Sequence, residues 1–105
     1  MSPRREENPE SIATGRRIVD SAGSAVQLPY IPIPFDCSLV VKALSGNAGT
    51  IYVSESKVSA QDTNSAFPLA PGDAIELKVK NSSSVWIDAS VSGEGINWIV
   101  ERAVL

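Results

Sequence analysis

A chain of 105 residues with 43% hydrophobic composition can build one modest core rather than two, and its net charge of −3 argues against a dedicated nucleic-acid binder, which needs surplus Lys and Arg on one surface. No stretch approaches the roughly 20 apolar residues that cross a bilayer. The N-terminus also lacks the apolar run of a secretion signal, so the expectation is a soluble chain made in a cytoplasm, with neither nucleic acid nor membrane as partner.

Residues 1–22 mix charge with Ser, Pro and Gly and hold few large apolar side chains. Such a composition cannot bury enough apolar surface to offset its ordering entropy, which predicts a flexible N-terminal arm over residues 1–22, disordered in the free chain. Within it, Asn8-Pro9-Glu10 has the composition of a helix start, with Ile12, Ile18 and Val19 as contacts and Gly15 as an interruption. The arginines come as two pairs, Arg4-Arg5 and Arg16-Arg17, interspersed with Glu6, Glu7, Glu10 and Asp20. That balance suits a solvated arm or a protein-docking strand better than a nucleic-acid tail.

Residues 23–105 form the expected domain, and they carry the whole −3, with five basic residues (Lys42, Lys57, Lys78, Lys80, Arg102) against eight acids. A body of this size is marginal unless stapled or assembled, and the lone Cys37 cannot form an intramolecular disulfide. Oligomerisation or docking onto a larger assembly would supply further burial. The domain opens on Leu28-Pro29-Tyr30-Ile31-Pro32-Ile33-Pro34-Phe35, whose three prolines remove backbone donors and hold the chain extended. This stretch reads as an edge segment or surface strip and, through Tyr30, Ile31, Ile33 and Phe35, as part of a contact surface.

Beyond it the pattern has period two. Residues 37, 39, 41 and 43 share one apolar face of a strand, and Ile75, Leu77 and Val79 oppose Glu76, Lys78 and Lys80 in another. Residues 25–28, 50–54, 85–91 and 96–102 are further strands, rich in β-branched and aromatic side chains. Turn-forming clusters separate them: Ser45-Gly46-Asn47-Ala48-Gly49, Asn81-Ser82-Ser83-Ser84 and Ser92-Gly93-Glu94-Gly95. Ala70-Pro71-Gly72-Asp73 suits a type II turn leading into the Ile75 strand. Six to eight short strands with no convincing helix predict an all-β fold: one antiparallel β-sandwich, jelly-roll or Ig-like, or a small barrel.

The residues of chemistry are sparse. Histidine is absent, which removes the commonest general base and the commonest transition-metal ligand. Cys37 starts a period-two strand and reads as a small buried hydrophobe rather than a reactive thiol. The loop acids Asp62, Asp73 and Glu94 are far apart in sequence, which disfavours calcium. No cofactor and no catalytic residue is expected. Of the two indoles, Trp98 alternates with Ile96 and Val100 as a core residue, whereas Trp86 shares a face with Asp88 and is a candidate contact anchor.

The order Gly49-Thr50-Ile51-Tyr52-Val53, Phe67-Pro68-Leu69-Ala70-Pro71-Gly72-Asp73, Val85-Trp86-Ile87-Asp88-Ala89 and Gly93-Glu94-Gly95-Ile96-Asn97-Trp98-Ile99 resembles that of small virion proteins of tailed bacteriophages, the capsid decoration or cement proteins and related head and tail components. The likeness spans residues 24–103. It implies a non-enzymatic part on the capsid surface that binds the major capsid protein, often as a trimer. The arm has no counterpart in that resemblance; Arg4, Arg5, Arg16, Arg17 and Ile18 of the arm, the strip from Tyr30 to Phe35, and Trp86 are contact candidates from the reading of the residues themselves. Related expectations are a head-tail connector, a tail part or a fibre base. A carbohydrate-binding β-sandwich stacking sugars on Trp86 and Tyr52 is the alternative of a different class.

Overall fold

In a computed structural model the described residues are 9–103. Strand accounts for 44% of the chain and helix for 8%, arranged as two antiparallel sheets packed face to face with no closed barrel, so the fold is a β-sandwich. The strands are β1 (Pro9–Val19), β2 (Val26–Gln27), β3 (Leu39–Ala43), β4 (Ile51–Ser54), β5 (Phe67–Leu69), β6 (Ala74–Leu77), β7 (Trp86–Ala89) and β8 (Glu94–Ala103). A single helical turn, α1 (Lys57–Ala60), lies between β4 and β5.

The first sheet has the order β1-β8-β3-β6 and the second β2-β7-β4-β5. First pairs with eighth, second with seventh, third with sixth and fourth with fifth. This is the order of a jelly roll, a long antiparallel ribbon folded over so that its strands alternate between two sheets. The period-two patterns set which side of each strand faces inward. Leu39, Val41 and Ala43 of β3 and Ile96, Trp98 and Val100 of β8 meet Ile51, Val53, Leu69, Ile87 and Ala89 of the second sheet in one buried cluster. Several of these side chains are wholly excluded from water, and each contributes about 1.5–3 kcal/mol of burial.

The turns follow the expected chemistry. Asp73 donates its N–H to the Ala70 carbonyl at 3.0 Å or less (2.9 Å), and Gly72 takes φ of 84°, as the third position of a type II turn requires. Asp36 is the one non-glycine residue with positive φ among the described residues, at 69°, in the turn closed by the Cys37 N–H on the Pro34 carbonyl.

The main departure lies at the N-terminal side. Of the arm expected over residues 1–22, residues 1–8 lie outside the described residues, and Pro9–Val19 is a strand of the first sheet rather than a disordered segment or a short helix. Its ladder with β8 runs from Val19↔Glu94 to Pro9↔Ala103. The reason is Gly15: the indole of Trp98 occupies the space that a Cβ on Gly15 would need, so β1 can lie against β8 over that ring. The glycine that reads as a helix breaker is a spacer for an aromatic side chain. The β1–β8 ladder also continues beyond Leu39↔Val100, where β3 begins, so the far ends of β1 and β8 form a two-stranded ribbon past the sandwich.

Gly95 makes the closest backbone approach, since a Cβ there would collide with the carbonyl of Arg17 and the Cα of Ile18 on β1. Gly95→Ala should therefore destabilise the fold by about 1–3 kcal/mol through overpacking, whereas Gly46→Ala, with open space around it, should stay within about 0.5 kcal/mol. Urea unfolding midpoints of the two variants check this.

Candidate functional site

The proline-rich strip crosses one end of the sandwich between β2 and β3, held by residues just before β7. Leu28 donates its N–H to the Val85 carbonyl at 3.0 Å, Ile33 to Lys80 at 2.9 Å, and the Ser82 N–H reaches the Ile31 carbonyl at 3.0 Å. Asn81 starts a 3-10 turn, Ser82–Ser84, and its Oδ1 accepts from Ser83 at 2.9 Å and from Ile31 at 3.1 Å. Ser82 is wholly buried; its hydroxyl accepts from the Ile31 N–H at 3.1 Å and donates to the Pro29 carbonyl. These bonds use the N–H groups that remain between the prolines and the carbonyls of Pro29 and Ile31, and they clamp the strip to the core.

The clamp sorts the expected contact residues. Ile33 is 8% exposed and belongs to the core, and Ile31 is half-buried against it, so neither is a free contact residue. The bonds of the Ile31 and Ile33 N–H groups to Lys80, Asn81 and Ser82 fix the strip in extended form, in which these alternate residues share the side that packs on the core. Tyr30 and Phe35 point the other way, 76% and 98% exposed. Phe35 sits at the tip of the turn closed by the Cys37 N–H on the Pro34 carbonyl, beside Lys78, Val79 and Lys80.

The remaining candidates do not join this corner into one surface. Arg4 and Arg5 lie outside the described residues. Arg16 is exposed, Ile18 is half-buried, and Arg17 is half-buried with its Nε donating to the Gln27 carbonyl at 3.0 Å. Trp86 is half-buried on the outer face of the second sheet, opposite Gln27 and Ser54. Tyr52 shares that face, but α1 packs on β4 and β7, with the Ser54 and Ser59 hydroxyls 2.7 Å apart. Asp88, also on that face, is buried and accepts from the Gly23 N–H at 2.9 Å. Trp86 and Tyr52 are both half-buried on this face.

One surface was missed in the sequence. Between the edges of the two sheets, β6 on one side and β4 and β5 on the other, the sandwich is left open as an apolar cleft of about 410 Å³. Val53, Phe67, Ile75, Leu77, Val79 and Val85 line it, with Glu55 and Glu76 at hand. Ile75, Leu77 and Val79 are the inward residues of the cleanest amphipathic strand, yet they remain only half-buried because β5 is three residues long and leaves them without a roof. Phe67, at the start of β5, is 56% exposed. Val79 belongs to both this cleft and the Phe35 corner, so the two apolar features are adjacent.

The polar groups have structural partners. Asp62 accepts from the Ser65 hydroxyl at 2.6 Å and the Asn64 N–H at 3.0 Å, which holds its carboxyl below the usual range. Asp73 caps the Ala70 N–H, and Glu94 accepts from the Ala48 and Gly49 N–H groups. Among the described residues no three of Cys, Asp and Glu gather as a metal site. Cys37 is half-buried rather than fully enclosed; burial pushes its thiol up, and the Glu101 carboxylate and Asp36 push it further, against the pull of Lys78. No protein-family model, curated protein or solved structure matches the chain.

Two outcomes follow from this geometry. Ser82→Ala leaves the Pro29 carbonyl without its buried donor and should cost about 1–3 kcal/mol, with faster hydrogen exchange at the Ile31 amide as the local readout. Because the thiol is raised, thiolate is scarce at neutral pH, and alkylation of Cys37 should reach half its limiting rate above pH 9.0. Glu101→Gln should bring that midpoint down.

Proposed function

We propose that this chain is a non-enzymatic virion structural protein of a tailed bacteriophage, a capsid decoration protein that binds the outer surface of the major capsid protein shell and stabilises it. The observation that carries the reading is the apolar surface joining the open cleft at Phe67, Ile75, Leu77 and Val79 to the exposed Phe35. Contiguous exposed apolar surface on a small domain is the mark of a protein-docking site, and aromatic anchors are enriched in such sites. The jelly-roll order supports it at the level of architecture, because viral capsid proteins use that fold, as do lectins and cupins. The order of strand and turn segments over residues 24–103, which resembles that of decoration proteins, points the same way.

On this reading the protein is made in the bacterial host cytoplasm and ends on the capsid surface. The shell subunit supplies the apolar cover that β5 does not, and a basic group on the shell meets Glu55 and Glu76 at the cleft. Multiple copies on a repeating lattice then resist outward strain together.

The test is binding of the full chain to purified shells that lack it, read as bound copies per particle. Saturation at hundreds of copies is expected, and Phe35→Ser with Phe67→Ser should weaken binding at least tenfold while the isolated variant keeps its β-sheet circular dichroism. No binding by the full chain overturns the decoration role; saturation at about a dozen copies moves the assignment to a connector or fibre base.

A further inference from the structure

The first sheet ends on one side in a strand that is paired along one edge only: β1 bonds β8 and nothing else among the described residues. The direction of its backbone groups follows from two bonds. The Gly93 N–H reaches the Val19 carbonyl, and the Leu44 N–H reaches the Gly95 carbonyl on the opposite side of β8. With the register Val19↔Glu94, the odd residues of β1 therefore bond β8, and the even residues turn their N–H and C=O away from the sheet. Ile12, Thr14, Arg16 and Ile18 thus carry a row of unpaired donors and acceptors along an open edge.

The other edges carry the usual protections against strand addition. β2 is two residues long and runs into Pro29; β5 is three residues long and contains Pro68. β6 is four residues long, follows Pro71 and is flanked by Lys78 and Lys80, and its Ala74 and Glu76 alone turn outward, since the Asp73 carbonyl bonds the Ala43 N–H. β1 is eleven residues long with no proline after Pro9. It also runs on into the two-stranded ribbon, an arrangement of marginal stability without a third strand. Beside it lies a groove of about 400 Å³ lined by Gly15, Arg16, Arg17, Gln27, Pro29 and Trp98, which a strand added to β1 would roof.

We infer that β1 is the docking edge for β1 of a second copy of this chain, paired antiparallel across a two-fold axis so that the first sheet runs unbroken through both copies. Only an extended backbone answers such an edge, and on a second copy the one matching long edge is β1 itself. A two-fold contact uses the same patch twice, and here it fits, because outward even residues can only oppose outward even residues. With Thr14 opposite Thr14, each Ile12 meets the aliphatic stem of the other copy's Arg16, and the two guanidinium-bearing positions lie about 13 Å apart along the strands. Pairing β1 with β6 instead would engage just Ala74 and Glu76 of that strand. The inference stands apart from the shell-binding role, and it replaces the three-fold association that the sequence resemblance implies with a two-fold one.

The test is the mass of the full chain against concentration by sedimentation, together with three variants. A dimer is expected. Thr14→Pro removes an outward N–H without touching the β8 ladder and should weaken dimerisation at least tenfold; Ile12→Lys, milder for the fold, should do the same. Thr14→Cys in a Cys37→Ser background should cross-link into dimers on mild oxidation. A monomer at every concentration up to about 1 mM, a trimer or open-ended series, or undiminished dimerisation of both Thr14→Pro and Ile12→Lys overturns the inference.

Discussion

The fit of Trp98 over Gly15 governs how the chain closes its first sheet. β8 must present Ile96, Trp98 and Val100 inward to meet β3 and the second sheet, and an indole facing inward at the centre of β8 also spreads sideways. Only a residue without a side chain can run alongside it. Gly15 meets that demand, and β1 then pairs with β8 in unbroken register from Ser11↔Arg102 to Val19↔Glu94, with an irregularity only toward Pro9. The close approach at Gly95 works the same way from the other strand. Without these two glycines β8 would be an edge, and a long apolar one.

Capping one edge creates another, and the molecule treats its boundaries unequally. The end crossed by residues 28–35 is locked, with Asn81 and Ser82 bonding the Ile31 N–H and Ser82 also the Pro29 carbonyl. Locking that strip stiffens the base from which Tyr30 and Phe35 project, so their exposure carries little entropy of ordering on contact. The β5–β6 side is left short of cover and presents apolar side chains; the β1 side presents backbone. These are different kinds of incompleteness, one satisfied by apolar side chains and the other by an extended main chain, and they lie on opposite edges of the first sheet.

Much of the body was legible because its evidence is local. Alternation in β3 and β6 and the Pro71-Gly72 turn each depend on a few adjacent residues, and the structure follows them closely. What escaped depends on distant partners. Gly15 reads as a break until Trp98 is set beside it, and a polar stretch becomes a strand by virtue of a ladder whose other half is at the far end of the chain. Ile33 reads as surface because of its prolines, but its N–H bonds the Lys80 carbonyl, and Asn81 and Ser82, which look like ordinary turn residues, hold the neighbouring Ile31, so the strip packs against the core. The open cleft has no signature in β6 alone, since the missing roof is a property of how short β5 is and which sheet it joins.

The ribbon made by the ends of β1 and β8 has a mechanical meaning as well. The described chain enters at Pro9 and leaves at Ala103, opposite one another at the same tip. A force that draws these two points apart opens the ladder one pair at a time, as a zip opens, and meets little resistance at any instant. A force between that tip and the turn at the far end of the sandwich, around Gly93, acts along the strands and loads all the rungs together. The same hydrogen bonds are thus weak under one direction of pull and strong under another, and the way the tip is held would decide how much load the fold can bear.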